Sequence, residues 1–255
     1  MKLSRAIAIV LITCFGLVGC SKEQSRNSSV GYCSPSSETT LILIDITTTL
    51  DDRDTNNLIE GIEETVLMLG IGNRLEIATL TDDFGTSRQI FDHCLPGCPP
   101  GGMLDWITSS CSSIRARSEK LKFDRDLVDS LKSILIDQQD FSNSEVLRSI
   151  AYRTQEPENS VDYLFIFSDM LENSRELPYS TFLRRSNESL MSDVRDNGLV
   201  PHLTGAEVSV FGFGRAHNAS RLSLSSKERQ KLRRFWETYF KAGGAASVSI
   251  SEELH

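Results

Sequence analysis

Val161-Asp162-Tyr163-Leu164-Phe165-Ile166-Phe167-Ser168-Asp169 contains the most apolar strand-like run in the chain, and it stops on an acid. Near-continuous hydrophobicity over a strand length implies burial on both faces, as in a parallel sheet covered by helices. A second such run, Leu41-Ile42-Leu43-Ile44-Asp45-Ile46, also ends at an acid and passes into Thr47-Thr48-Thr49. Around these two runs, short apolar stretches alternate with longer amphipathic ones. Residues 55–69 put Leu58, Ile59, Ile62, Val66 and Leu69 at helical spacing. Further helices are expected over 124–136, 144–153, 179–195 (stopping at Asn197-Gly198) and 226–241, the last with Ser225 or Ser226 as N-cap. Residues 74–80 and 88–91 read as strands joined by a hairpin-length connection, so the second runs antiparallel at an edge. Residues 207–212 and 247–251 complete the set of strands.

Strands alternating with helices in this order predict an α/β fold. The expected architecture is a doubly wound, mostly parallel sheet of about six strands with one antiparallel edge strand and helices on both faces. In such sheets ligands bind beyond the carboxyl ends of the strands, where the winding reverses. If the two acid-tipped strands are neighbours there, Asp45 and Asp169 meet at one edge.

The whole chain of 255 residues, 39% hydrophobic and 24% charged, has the composition of a globular protein. At this length neither disulfides nor a metal is needed to complete a core. A net charge of −8 argues against a surface built to neutralise nucleic-acid phosphates.

The first nineteen residues stand apart. Lys2 and Arg5 precede an apolar run from Ala6 to Val18, shorter than a membrane-spanning helix and shaped like a secretory leader. Its end, Leu17-Val18-Gly19-Cys20, resembles the bacterial lipobox, which implies a signal peptide over 1–19 and acyl chains on Cys20. Removal of 1–19 takes Lys2 and Arg5 but no acid, moving the charge from −8 to −10. Several acyl chains hold a protein stably to a membrane where one alone is marginal. Residues 20–38, rich in Ser, read as a flexible tether, and 39–255 as the domain. The expected location is the bacterial cell envelope, with the domain exposed to the periplasm or the outside.

Cys33, Cys94, Cys98 and Cys111 remain after Cys14 leaves with the leader and Cys20 is acylated. An even number in an oxidising compartment predicts two disulfides, with three possible connectivities. They bracket a Cys-rich insertion at about 93–113. Cys94 should emerge beside the start of the first parallel strand, opposite the acids. A zinc site built from His93, Cys94, Cys98 and Cys111 is the alternative, although no C-x-x-C pair supports it.

Asp45, Thr47 and Thr49 place an acid and two hydroxyls at alternate positions where a strand becomes a loop. Hard cations such as Mg²⁺ favour such oxygen ligands. This stretch resembles the D-x-[ST]-x-[ST] signature of the von Willebrand factor type A (vWA) domain, in its metal-ion-dependent adhesion site. Asp169 matches that family's second acid, and Ser142, or alternatively Ser144, stands where its middle loop offers a threonine. The resemblance covers about residues 40–251 in element order. It implies one Mg²⁺ or Mn²⁺ held by Asp45, Thr47, Thr49, Ser142 and Asp169, with an open position for an acidic side chain of a partner protein.

Other chemistry is poorly represented. There is no G-x-S-x-G elbow and no G-x-x-x-x-G-K-[ST] loop, and Gly212-Phe213-Gly214 lacks the remaining glycine of a dinucleotide fingerprint. His93, His202, His217 and His255 read as packing or surface residues, and the basic residues of 227–234 as the solvated face of a helix. Trp106 and Phe123 are expected to pack around the insertion. The expected function is therefore a lipid-anchored binding module rather than an enzyme. The alternatives are a scaffold of the same fold with a degenerate site, or a metal-dependent hydrolase lacking an evident general base.

The leader predicts a measurable product. Intact-mass analysis of the membrane-extracted protein should show an acylated Cys20 at the N-terminus; a chain retaining Met1, or cleaved elsewhere, would refute it.

Overall fold

The computed structural model describes residues 32–33, 37–98, 111–136, 140–155, 160–215 and 224–253. The expected leader and Cys20, with Trp106, His217 and His255, lie outside them. Six strands form one sheet: β1 Thr39–Asp45, β2 Arg74–Leu80, β3 Gln89–Cys94, β4 Tyr163–Phe167, β5 Glu207–Phe211 and β6 Ser247–Ile250. Their order is β3-β2-β1-β4-β5-β6. All neighbours are parallel except β2 and β3. The helices are α1 Asp52–Met68, α2 Ser113–Ile136, α3 Val146–Thr154, α4 Tyr179–Arg184, α5 Asn187–Asp196 and α6 Ser226–Ala242. This is the doubly wound α/β architecture with an antiparallel edge that the two apolar runs predict.

The period of two along a strand sorts the core into two layers. Leu41 and Leu43 of β1, with Leu164 and Ile166 of β4, face a cluster built on Leu147, Phe182, Leu190, Phe235 and Trp236 of the later helices. Ile42, Ile44, Phe165 and Phe167 face the opposite cluster, built on Leu58 and Ile62 of α1 and Phe123, Leu127 and Ile134 of α2. Each fully buried aliphatic side chain contributes about 1.5–3 kcal/mol, so the central strands carry much of the stability. Because sequential strands move outward in opposite directions from β1 and β4, the winding reverses between these two.

Local signals place several helix ends. Asp51 accepts the Asp54 N–H at the start of α1, and Ser225 and Glu228 form a reciprocal capping box on α6. Gly198, at φ +67°, turns the chain after α5.

Two expectations need correction. Residues 179–195 form two helices, because Arg185 is extended and the Ser186 hydroxyl caps a fresh start by accepting from Ser189 N–H. The apolar spacing runs through this break, so it is invisible to periodicity. The helix expected over 124–136 begins at Ser113, since its first three turns bury only Ala116 and Phe123 and carry little apolar signal.

The four cysteines are paired as Cys33–Cys94 and Cys98–Cys111. The β2–β3 register sets Cys94 opposite Arg74, at the start of β2, while β1 and β2 begin side by side at Thr39 and Arg74. The bridges therefore lie at the end of the sheet away from Asp45. This pairing removes the zinc alternative: His93 packs edge-on against Phe91, 4.7 Å between centroids, and burial lowers its pKa. Among the described residues no helix is long and apolar enough to cross a membrane.

The cross-links close loops of 61 and 13 residues. Chain-entropy arithmetic assigns these about 4 and about 3 kcal/mol. Urea denaturation should therefore show the Cys33→Ala/Cys94→Ala pair losing more stability than the Cys98→Ala/Cys111→Ala pair.

Candidate functional site

The parallel register pairs Ile44 with Phe167, so the next residues, Asp45 and Ser168, stand side by side where β1 and β4 end. Asp45 is 8% exposed, and a carboxylate so buried needs donors. It has three. Oδ1 accepts the Thr47 N–H at 2.9 Å and the Thr47 hydroxyl at 2.6 Å, and Oδ2 accepts the Ser168 hydroxyl at 2.6 Å. These hydroxyls spend their hydrogens on Asp45, and Ser168 Oγ in turn accepts the Met170 N–H.

Asp169, 3% exposed, is held by a turn. Its Oδ1 accepts Leu171 N–H at 2.9 Å, and its main-chain carbonyl accepts Gly214 N–H at 3.0 Å. Gly212 and Gly214 take φ of +83° and +66°, conformations that disfavour side chains. The Gly-Phe-Gly segment thus serves to brace Asp169, with Phe213 buried in the core. Met170 follows at φ +59°, secured because its N–H donates to Ser168 Oγ and its carbonyl accepts Trp236 Nε1–H.

Asp45 and Asp169 line one small cavity of about 10 Å³ with Thr48, Ser168, Ile44, Leu50, Leu58 and Phe167. That is room for about one water-sized sphere. Its polar lining is oxygen from carboxylates and hydroxyls, the donor chemistry of a hard divalent ion rather than of zinc. Among the described residues no cluster of three or more His, Cys, Asp or Glu could hold a metal by itself. On this donor set Mg²⁺ or Mn²⁺ fits.

The sequence-predicted ligands divide. Asp45 and Asp169 share the cavity, and Thr47 bonds Asp45 without lining it. Thr49 is exposed, and its N–H donates to Asp140 Oδ1 at 2.9 Å. Ser142 is exposed as well, its carbonyl accepting Asn173 Nδ2. Ser144 is 6% exposed, and its hydroxyl has no hydrogen-bond partner among the described residues. An orphaned buried hydroxyl marks Ser144 as the better middle-loop candidate. Both serines line a neighbouring cavity of about 290 Å³ with Phe141, Asn173 and Tyr179. The middle loop crosses the strand ends through Phe141 N–H to the Thr47 carbonyl and Glu145 N–H to the Thr81 carbonyl.

Sequence reasoning missed Ser168, although Ser beside a strand-end acid was a usable signal. It also missed Asp54, 1% exposed in the first turn of α1, whose Oδ1 lies 2.8 Å from Arg215 Nη1. Only the fold brings the β5–α6 connection to α1, so no local pattern predicts that pair. Tyr179 senses the site: burial first, then the Glu228 and Asp169 carboxylates, push its hydroxyl to about 12.

No family model matches the chain, and no curated protein matches it. Among solved structures it is similar to an aerotolerance-related membrane protein from Bacteroides fragilis NCTC 9343, crystallised with multiple mutations to serines. The likeness covers 84% of this chain and 92% of that one, at 13% identity and a TM-score of 0.34.

Glu172 supplies a pH test. Its Oε2 accepts Leu147 N–H at 2.9 Å, satisfying a donor in the first turn of α3, and burial raises it to about 7. A carboxyl raised on folding stabilises the native state below its unfolded pKa, and that stability is lost as pH rises through the folded value. Stability should thus fall between about pH 4.5 and 7 by roughly 3 kcal/mol. Glu172→Gln should flatten this slope in urea melts; an unchanged slope would refute the assignment.

Proposed function

We propose that this chain is a lipid-anchored binding module of the bacterial cell envelope, which uses Asp45, Thr47, Ser144 or Ser142, Thr49 and Asp169 to hold one Mg²⁺ or Mn²⁺ against an acidic side chain of a partner protein. The observation that carries this reading is the meeting of Asp45 and Asp169, both buried, at adjacent strand ends around one ion-sized cavity lined with oxygen donors. The leader-like sequence of residues 1–19 ahead of Cys20 supports the anchor.

The protein's own residues do the positioning. Thr47 and Ser168 orient Asp45 through its two oxygens, and the Leu171 and Gly214 N–H groups fix Asp169. Bound there, a divalent ion supplies positive charge that two protein carboxylates balance and a partner carboxylate can share. The apolar floor of Leu50, Leu58 and Phe167 keeps the acids from full solvation. Among the described residues the cavity lining carries no titratable group besides the two acids, which supports a reading of binding without turnover. The outward position of Thr49 and Ser142 favours one rival, a scaffold of the same fold with a degenerate site.

Metal titration separates the two. At a hundred times its dissociation constant an ion adds about 2.7 kcal/mol to the native state, so millimolar Mg²⁺ or Mn²⁺ should raise the melting temperature. Asp169→Asn keeps an oxygen for Leu171 N–H and should abolish the rise without unfolding the chain. Asp45→Asn is the harsher variant. Like charges at one site would make its neutralisation neutral or stabilising without metal. Its three donors reverse that expectation, because an amide nitrogen cannot accept from Ser168 or Thr47, and the loss should be about 1–3 kcal/mol. Equal metal shifts in the native and Asp169→Asn forms, or none in the native form, would promote the scaffold.

A further inference from the structure

We propose that the end of the domain where the tether enters rests on the bilayer surface through Leu67, Met68, Ile71 and Ile114, holding the acid-lined loops away from that membrane. This rests on the anchored reading above. The four side chains are 84%, 72%, 50% and 83% exposed. Leu67 and Met68 end α1, and Ile71 follows in the connection to β2. Ile71 packs on Gly97, where an added Cβ would fall 2.7 Å from its Cδ1. The Gly97 carbonyl lies 3.8 Å from Cys111 Sγ, and Ile114 comes one turn later, at the start of α2.

The chain enters at the same end. The Tyr32 carbonyl lies 3.1 Å from where a Cβ on Gly72 would sit, Gly72 N–H donates to the Leu95 carbonyl, and Cys33 is cross-linked to Cys94. The disulfide thus decides where the tether leaves the fold. From Cys20 to Tyr32 the chain has twelve links, which even fully extended reach no more than about 43 Å. That length keeps this end within reach of the lipid surface at all times. Asp45 closes the other end of β1, a seven-residue strand and so roughly 20 Å farther out.

Leu121, Val128 and Ile136, also exposed, are spread along the rest of α2, and Tyr152 lies on α3, whereas these four share one end; such a group marks a contact surface, and the short tether names the occupant. Arg115 and Arg117, exposed beside Ile114, suit phosphate headgroups, whereas Glu63 and Glu64, exposed one turn back on α1, oppose a strongly anionic surface. Shallow apolar insertion therefore drives the contact, and a zwitterionic bilayer suffices.

The test replaces the acyl anchor, so that it is independent of Cys20 chemistry. The chain from residue 21, with an N-terminal hexahistidine tag, is bound to phosphatidylcholine vesicles carrying nickel-chelating lipid and brominated acyl chains. Met68→Trp and, as the far-end control, Asn143→Trp are made in a Trp106→Phe background. Bromolipid should quench the Met68→Trp form several-fold more than the Asn143→Trp form. Adding Leu67→Glu and Ile114→Glu should remove the difference. Equal quenching at both positions, or quenching that survives the two glutamates, would overturn the orientation. Intact mass of the native protein decides the acylation separately.

Discussion

A strand buried on both faces can satisfy its backbone only through its neighbours, and β1 and β4 are each in that position. Their mutual register is the constraint on which the rest of this molecule depends. Pairing Ile44 with Phe167 settles which residues face each helical layer, and it also sets Asp45 beside Ser168 at the point where the sheet runs out. A slip of one residue would invert both cores, since the side-chain period is two. The same slip would separate the acid from its donor.

Acids placed at such a strand end are expensive to bury without compensation. Compensation for Asp45 comes from short-range chemistry, two hydroxyls and an N–H within hydrogen-bonding distance. For Asp169 it comes from the Leu171 N–H, in a turn that passes through left-handed Met170, while the Gly214 N–H after β5 holds its main-chain carbonyl. The site is preorganised differently on its two sides. Asp45 is held by Thr47, just past its own strand, and by Ser168, 123 residues away at the end of β4, whereas the Asp169 carboxylate is held by Leu171, two residues on, and its main-chain carbonyl by Gly214.

The two ends of the sheet have opposite chemistry. Carboxylates and hydroxyls gather at the carboxyl ends of the strands, and the two disulfides, with exposed Leu67, Met68, Ile71 and Ile114 at the same end, lie where the chain enters β1. Parallel strands impose this polarity, because all their carboxyl ends lie on one edge. The antiparallel β3 carries Cys94 back to the entry end, which is why one bridge can fasten Cys33, ahead of β1, without touching the acid site.

The local chemistry of the sequence determined the element order, the antiparallel edge, most helix ends, and the two acids as a pair. Each of these rests on a short-range signal: a two-residue or helical period, a cap, or an acid closing an apolar run. Tertiary structure decided the rest. It split 179–195 at Arg185, because a Ser186 cap competes locally with a period that runs on unbroken. It chose Ser144 over Ser142 for burial and turned Thr49 outward, because those orientations follow from how one loop crosses another. It paired Arg215 with Asp54, and one cysteine with another out of three possible connectivities. Contacts between distant segments depend on the closed sheet, and no window of sequence contains them.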